Sequence, residues 1–473
     1  MNDNTGAALS DVARERLPWG VFVFLLAVFA VASFDPLLSV DYVTRRDKTV
    51  EERLEASIER TEAGNMARRV ALSTLGGVAL VSLLRRNRNR LSANGALGAL
   101  ILFFLAWTAL SILWSHDQAL TVRRVVLLGM LCLGALAAAE RFSFREIVYF
   151  AFLAGGTALL GGLLCEIGLG TLRPFDPEYR FAGLMNPIFT GAHCGMTVIA
   201  ALALARAAGR ARGLYILVAV TAFLFMSLTR SRGPAGATVV AVLVYWALAW
   251  PKFRKTAVFM LALIAIVFAF PSVRTTITGS AEDALLFGRQ VDRGYEMQGR
   301  DALWAECIKF SAQKPVLGYG YDAFWTRDFT FAVTDASGFT SQHTHNAVLD
   351  LLLGVGIPGA VTYLLILFVA IKRLVVGLRV SHSIYYASAL ALIVLYALHN
   401  VFVSVHLAAQ LQTFVILVIL ARLGFTSAEA PAEQPDVMRR NREGPAHAHG
   451  APESGRAGTG PDAAENGGLG LYP

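Results

Sequence analysis

Hydrophobic residues along the chain fall into twelve blocks of roughly 15–25 residues, separated by more polar stretches. A helix rises about 1.5 Å per residue, so a block of this length crosses the hydrocarbon core of a bilayer, which is about 30 Å thick. The pattern therefore predicts an all-α, polytopic membrane protein with about twelve transmembrane helices. The predicted spans are residues 18–38, 69–84, 96–114, 122–139, 146–169, 187–205, 213–229, 233–250, 256–271, 346–371, 383–399 and 408–424.

Alternate connections between the blocks are short, rich in basic residues and nearly free of acidic ones. They carry the cluster at 85–90, then Arg141 and Arg145, Arg206, Arg210 and Arg212, Lys252, Arg254 and Lys255, and Lys372, Arg373 and Arg379. The positive-inside rule assigns these connections to the cytoplasm. Because the number of spans is even, both termini are then predicted to be cytoplasmic, and the other connections face outward.

The same pattern divides the chain into five regions. They are a cytoplasmic N-terminal segment (1–17), spans one to nine (18–271), a large outward loop (272–345), spans ten to twelve (346–424) and a disordered cytoplasmic tail (425–473). Residues 39–68 mix acids and bases and predict a solvated helical segment.

Within the large loop, apolar side chains at helical spacing predict an amphipathic helix close to the membrane surface. They are Leu303, Trp304, Cys307 and Ile308. Pro315 and the turn Gly318-Tyr319-Gly320 follow this helix.

Composition agrees with the membrane class, since 55% of the residues are hydrophobic and only 16% are charged. The net charge of +8 does not indicate nucleic-acid binding, because the basic residues lie between apolar blocks. The four cysteines lack the spacing of a zinc site or of a disulfide framework. We expect the first span to be retained and not cleaved as a signal peptide.

Arginine also lies where the positive-inside rule disfavours it. Outward positions hold Arg173, Arg180, Arg230 and Arg232, and Arg123 and Arg124 begin the fourth span. Arg230 and Arg232 stand in a very tight connection between apolar helices, where a cation is costly unless a partner compensates it. A guanidinium binds phosphate oxygens through paired hydrogen bonds. These residues therefore predict an anionic ligand, and the alternative is that they reach membrane lipid headgroups.

His343 and His345 end the large loop, directly before the tenth span. An imidazole accepts a proton readily near pH 7, and a helix N-terminus beside it favours the neutral ring. A structural role for either histidine is the alternative. A metal site is not expected, because Asp350 lies too deep in the next helix and no His/Glu helix motif is present. We expect no cofactor.

Three segments resemble the O-antigen ligase family, within a wider superfamily of O-antigen ligases and polymerases. They are His345-Asn346 followed after nine residues by Gly356-Ile357-Pro358-Gly359, the junction Ser231-Arg232-Gly233, and Gly299-Arg300 with Trp304 and the later segment 315–320. The first fits the histidine pattern of the ligases, and the other two are similar to segments found across the superfamily.

The resemblance implies a GT-C-like transferase that needs neither a nucleotide sugar nor a metal. Such ligases transfer O-antigen polysaccharide from undecaprenyl diphosphate to the outer core of lipid A-core, on the periplasmic face of the Gram-negative inner membrane. Applied to this chain, the resemblance implies that Arg232 and Arg300 bind the diphosphate and that His345 is the base that activates the acceptor hydroxyl. The transfer would invert the anomeric centre. His343 is the second choice for the base. Further diphosphate or acceptor ligands are Arg230, Arg180, Arg124, Arg123 and Asn346.

Three alternatives stay open. An O-antigen polymerase uses the same donor, and the spacings Arg180 to Gly191 and Arg327 to Gly338 fit the R-x10-G pattern of one polymerase type, although two matches are little more than chance provides. A protein-glycosylating ligase would need an added C-terminal domain, for which we expect no room. A transporter or flippase would need internal repeats and ionisable groups deep in the bilayer. We find no repeat, and the deep ionisable residues are Glu166, His193 and Asp350.

Overall fold

A computed structural model describes residues 17–33, 65–85, 92–176, 179–183, 185–269, 296–339, 341–403 and 410–426. Within these ranges the fold is all-α and contains no β-strand. The helices are α1 (Trp19–Ser33), α2 (Met66–Arg85), α3 (Gly95–Leu110), α4 (Gln118–Arg141), α5 (Phe144–Gly168), α6 (Pro187–Ala207), α7 (Arg212–Leu228), α8 (Arg232–Ala249), α9 (Arg254–Ala269), α10 (Glu296–Gln313), α11 (Arg327–Ser337), α12 (Ala347–Ser381), α13 (Ile384–Phe402) and α14 (Leu411–Phe425).

A helix lies at each of the twelve predicted spans. In the described part of the chain, eight helices are long and apolar enough to cross a membrane, namely α2 to α6, α8, α12 and α13. Helix α3 reaches this length together with the 3-10 turn Ser111–Trp114 that continues it. Helices α1, α7 and α14 are apolar but shorter. The predicted class, an all-α polytopic membrane protein, is confirmed.

Helix α6 lies at the centre of the bundle and packs against α5, α7, α8 and α13. Small residues allow the close approach. A Cβ on Gly155 would lie 2.0 Å from Thr197 Oγ1, and a Cβ on Gly195 would lie 2.2 Å from Thr238 Oγ1. Small residues at helix contacts are typical of membrane bundles, where tight packing replaces the hydrophobic effect.

Helix α12 is broken at Gly356, where φ is 67° and ψ is −171°. A positive φ favours glycine, because glycine has no Cβ. Two residues later, Pro358 has no N–H, so the carbonyl of Gly354 has no donor from within the helix. The break also turns the N–H of Ile357 away from the carbonyl of Leu353. Two backbone carbonyls inside an apolar bundle therefore need other partners.

The loop segment 315–320 supplies those partners. Three backbone hydrogen bonds of 2.8 Å run from Tyr319 N to Leu353 O, from Gly320 N to Gly354 O, and from Ile357 N to Pro315 O. The large loop is thereby joined to the broken turn of α12 in a fixed register.

The glycines of these two motifs are required by the close backbone contact. A Cβ on Gly356 would lie 2.1 Å from Val316 O. Gly318 has a φ of 67°, and a Cβ there would lie 2.6 Å from Gly354 O. Gly320 has a φ of 104°, and its Cβ would meet Ser115 Oγ at 2.1 Å. No other residue fits these positions without moving the backbone.

The end of α3 and the turn after it bond both to α12 and to the loop segment. Trp107 Nε1 donates to Val355 O of α12 at 2.8 Å. Bonds to the loop run from Trp114 Nε1 to Leu317 O (2.7 Å), from His116 N to Tyr319 O (2.9 Å) and from Tyr321 N to Ser111 Oγ (3.0 Å). The turn between α3 and α4 and the start of α12 therefore lie at one end of the bundle, which we call the loop end.

The described part of the large loop, which starts at residue 296, contains two helices. Helix α10 confirms the predicted one, and its Leu303 and Cys307 are fully buried. Ile308, of the same apolar set, is 56% exposed. At about 100° per residue, it lies about 140° around the helix from Leu303. Helix α11, not predicted, explains one R-x10-G match, because Gly338 ends this helix with a φ of 67°.

Helix α12 extends beyond the predicted end of the tenth span at 371 and continues to Ser381. Within this extension, Arg373 donates to the backbone carbonyls of Leu423 (2.5 Å) and Asn94 (2.6 Å). The predictions for 1–17, for 39–68 and for the tail at 425–473 fall wholly or mostly outside the described residues.

Replacing Gly356 with alanine should destabilise the protein. The positive φ alone costs about 1–3 kcal/mol for a residue with a Cβ, and the contact with Val316 O adds to that cost. We expect a lower melting temperature for the purified membrane protein. Gly156→Ala is the matched control, since a Cβ there meets nothing within 4 Å. Equal melting temperatures for the two variants would contradict this account of the broken turn.

Candidate active site

The turn that carries both histidines is built by its neighbours in sequence. Asn346 is the N-cap of α12, and its side chain accepts hydrogen bonds from Val348 N (3.0 Å) and Leu349 N (3.2 Å). Thr344 is fully buried, and its hydroxyl donates to Asn346 O at 2.7 Å. The side-chain oxygen of Asn346 therefore has a structural role at the start of α12.

Asp350 lies in the first helical turn of α12 and holds the histidine turn in place. Its carboxylate accepts from Thr344 N at 3.1 Å and from Trp325 Nε1 at 3.0 Å. Trp304 Nε1 donates to Thr344 O at 2.7 Å from the other side. Two tryptophans and one carboxylate thus fix both backbone groups of Thr344, which stands between the histidines.

His345 has a left-handed backbone, with a φ of 57° that is uncommon for a residue with a Cβ. Its Nε2 lies 3.4 Å from Ser341 Oγ, and Ser341 donates its hydroxyl hydrogen to His343 O at 2.6 Å. Since that hydrogen is used, Nε2 must be the donor and Nδ1 carries the lone pair of the neutral ring. Nδ1 is buried and has no hydrogen-bond partner among the described residues.

Arg300 and His343 act directly on His345. The two imidazole rings lie 4.1 Å apart between centroids. Burial, together with the neighbouring His343 and the positive charge of Arg300, lowers the pKa of His345 to about 2. The ring is therefore neutral at physiological pH. The structure brings together Arg300, His343 and His345, which the sequence analysis selected separately.

A second group of arginines surrounds the connection between α7 and α8. Arg180 donates from Nε to Thr229 O (3.1 Å) and from Nη2 to Ser231 Oγ (3.2 Å). Arg230, with a φ of 49°, donates to Asp176 O at 3.2 Å. Both guanidiniums therefore have backbone or hydroxyl partners already.

Glu166 at the end of α5 holds the segment that presents Arg180. Its carboxyl accepts from Ala182 N at 2.9 Å, from Gly183 N at 2.7 Å and from the Tyr179 hydroxyl. Burial raises the pKa of Tyr179, and the hydrogen bond to Glu166 and its charge raise it further, so the phenol stays a donor. This buried carboxyl therefore has a local structural role.

Arg232 differs from its two neighbours. It begins α8 with an exposed side chain that makes no hydrogen bond or ion pair in the part of the chain that the structure describes. A cation at a helix N-terminus also opposes the helix dipole. Nothing described compensates this charge, whereas an anionic ligand would.

The remaining arginines lie at the start of α4. Arg124 forms an ion pair with Asp322, with Nε 3.2 Å from Oδ2. Arg123 is exposed, and its Nε donates to Ala119 O at 3.3 Å. Arg123 also lines a cavity of about 530 Å³ between the α3–α4 turn and the large loop.

The residues that hold the candidate side chains in place were not predicted from the sequence. Asp350 was considered only as a metal ligand and judged too deep for that role, whereas the first helical turn points its carboxylate back to Thr344. Glu166 was noted only as a deep ionisable group. A buried carboxylate close to a loop rich in backbone donors is the signal that could have identified both.

The fold and this site define a multi-pass, all-α membrane protein with a polar site at one end of its bundle. Residues 217–364 match a family described as O-antigen ligase. This range includes Arg232, Arg300, His343 and His345 but not Arg180.

The chain is also 25% identical over 296 residues to an exopolysaccharide production protein, ExoQ, of Rhizobium meliloti (strain 1021). The match covers 58% of this chain and 65% of that relative, somewhat less than two thirds of its length. Together the two matches support membership of the O-antigen ligase/polymerase superfamily. Members of the family are glycosyltransferase-like ligases and polymerases.

Removing the Asp350 carboxylate should disorder the histidine turn. Asp350→Ala leaves two buried N–H donors unpaired, at about 1–3 kcal/mol each, and should lower both the melting temperature and glycan transfer. Asp350→Asn keeps an acceptor oxygen at the position that receives both bonds, so its loss should be smaller. The exposed Asp335→Ala serves as control. Unchanged transfer in Asp350→Ala would show that other contacts suffice to hold the turn.

Proposed function

We propose that the protein is an O-antigen ligase that transfers a polysaccharide from undecaprenyl diphosphate to a hydroxyl of lipid A-core. One observation carries the proposal, namely that His343 and His345 lie in one turn of the loop end with ring centroids 4.1 Å apart, and that the charge of Arg300 in α10 acts on His345. Displacing a lipid diphosphate requires cations for the leaving group, and a sugar hydroxyl requires a base. The turn and α10 together offer both kinds of group.

The proposal includes the arrangement in the membrane. The protein lies in the inner membrane of a Gram-negative bacterium, with both termini in the cytoplasm and the loop end facing the periplasm. The short basic connections support this orientation through the positive-inside rule. The polyprenyl tail of the donor and the acyl chains of the acceptor then remain in the lipid beside the bundle.

In the proposed reaction, His345 Nδ1 takes the proton of the acceptor hydroxyl while its oxygen attacks the anomeric carbon. The bond from that carbon to the diphosphate oxygen breaks, and its electron pair stays on the diphosphate. Attack from the face opposite the leaving group inverts the anomeric centre. Because Nδ1 is shielded without substrate, we expect the turn to rearrange when the acceptor binds.

Arg300 would couple donor binding to the basicity of His345. The positive charge of Arg300 contributes to the low pKa of the histidine. A diphosphate bound to Arg300 offsets that charge, which should raise the pKa of His345 towards its ordinary range. The stronger base would then arise only when the donor is in place. Arg232 is the second proposed ligand of the diphosphate.

A polymerase is the second candidate function, in which the acceptor is itself a lipid-linked glycan. The name of the R. meliloti relative, an exopolysaccharide production protein, favours it. Purified protein, mixed with undecaprenyl-diphosphate-linked glycan and lipid A-core, separates the two. A ligase yields capped lipopolysaccharide, and a polymerase yields lengthened lipid-linked glycan.

The contacts of the buried carboxyls favour a transferase over a transporter. Of the three deep ionisable residues, Glu166 and Asp350 each accept hydrogen bonds from loop segments at the membrane boundary. His193 has its Nδ1 2.8 Å from Phe189 O in its own helix. The three side chains therefore fix local structure and do not line a path across the bilayer.

Replacing His345 with alanine should abolish O-antigen capping while the protein still reaches the membrane. Loss of a general base lowers the rate on the order of 10²–10⁴-fold. Lipopolysaccharide from cells carrying each variant can be compared on gels, with membrane protein levels measured in parallel. His343→Ala is the comparison variant. Normal capping in His345→Ala with loss in His343→Ala would move the base to His343.

Arg232→Lys should lose activity even though the charge is kept. An ammonium group cannot form the paired hydrogen bonds of a guanidinium, and we expect a loss of about 10²-fold in transfer rate. Arg212→Lys is the matched control, because Arg212 is also exposed at the first residue of a helix, α7, but lies on the predicted cytoplasmic side. Full transfer by Arg232→Lys would indicate that Arg232 contacts headgroups only.

A further inference from the structure

The cavity of about 530 Å³ beside the histidine turn has no role in the proposed chemistry so far. One wall is the turn between α3 and α4 with the first residues of α4, namely Ser115, His116, Asp117, Gln118, Leu120 and Arg123. The other wall belongs to the large loop and consists of Trp325, Thr326, Arg327, Asp328 and Gln342. Its volume is that of a small-molecule site.

Both walls are held firmly. The α3–α4 wall is fixed to the large loop by the bond from His116 N to Tyr319 O, 2.9 Å long. Asp117 caps α4, since its carboxylate accepts from Leu120 N at 2.8 Å. Edge contact between the His116 and Phe329 rings, with centroids 4.9 Å apart, joins the walls again. The cavity is therefore preformed.

The cavity shares residues with the histidine turn. Trp325 lines it, and the Nε1 of this residue donates to Asp350, which holds Thr344 N. Gln342 also lines it and precedes His343 in the chain. A group bound in the cavity would therefore be adjacent to the reacting centre.

The lining selects for one class of ligand. The negative charges of Asp117 and Asp328 balance the positive charges of Arg123 and Arg327. The lining therefore has no excess positive charge with which to bind a diphosphate. Carboxylate, amide and hydroxyl groups do not suit an isoprenoid chain. The Thr326 hydroxyl is buried and has no hydrogen-bond partner among the described residues. Closely spaced donors and acceptors beside an indole match a sugar, whose hydroxyls donate and accept and whose C–H faces pack on aromatic rings.

We propose that this cavity binds a saccharide unit of one of the two substrates, next to the site of transfer. The inference rests on the proposed function, because only a glycosyl transfer at the histidine turn gives a bound sugar a purpose there. Both donor and acceptor carry saccharides. The experiment therefore uses both.

Binding can be measured apart from catalysis. The probes are two soluble saccharides released by mild acid, one from the lipid-linked donor and one from the core of the lipopolysaccharide of the same bacterium. Saturation-transfer NMR on the full-length protein in nanodiscs gives their affinities. Gln118→Ala and Asp328→Asn should each weaken binding of one probe about tenfold. This is the upper range for the loss of one neutral hydrogen bond, at Gln118, and the lower range for one charge-assisted hydrogen bond, at Asp328. Asp335→Asn, exposed on the same helix as Asp328, should bind as wild type.

The outcomes separate this proposal from the function on which it rests. His345→Ala should bind the probe normally while failing to transfer. If it transfers normally and the two cavity variants still lose binding, the base assignment fails but the cavity proposal stands. If neither probe binds, or if both cavity variants bind as tightly as Asp335→Asn, the cavity is not a saccharide site. The probe whose binding the cavity variants weaken shows whether the cavity binds the donor or the acceptor saccharide.

Discussion

The break in α12 at Gly356 is the feature on which the rest of the loop end depends. It leaves two backbone carbonyls without helical donors, and the apolar surroundings cannot satisfy them. The segment 315–320 does so through backbone hydrogen bonds of fixed register. Because that segment also bonds to the end of α3, one local irregularity fixes the large loop, the α3–α4 turn and the start of α12 together.

This junction brings the proposed catalytic groups together. The loop helix α10 carries Arg300, and its Trp304 reaches Thr344 between the two histidines. The same α12 that is broken at Gly356 holds those histidines at its N-terminus through Asp350. The spacing from His345-Asn346 to Gly356 therefore has a structural basis, since it is the length of helix between the histidine turn and the break.

The charges at the loop end fall into two groups with different partners. Arg180 and Arg230 bond to backbone and hydroxyl groups around the α7–α8 connection, and Arg124 is paired with Asp322. Arg232 is exposed and has no described partner, while Arg300 acts on the buried imidazole of His345. Of the arginines that the sequence analysis selected, these two are therefore the best placed to meet an anion.

The sequence by itself determined the class of the protein and the positions of its helices, because length and hydropathy decide which segments can cross a bilayer. It also selected Arg232 and His345 as candidates, because a cation or an imidazole at a membrane boundary is conspicuous, and it selected Arg300 through the resemblance to the O-antigen ligases. Only the tertiary structure decided which of these meet, and it revealed the roles of Asp350, Glu166 and helix α11. Those roles depend on contacts between segments far apart in the chain, such as Gly320 with Gly354, and no local pattern encodes such contacts.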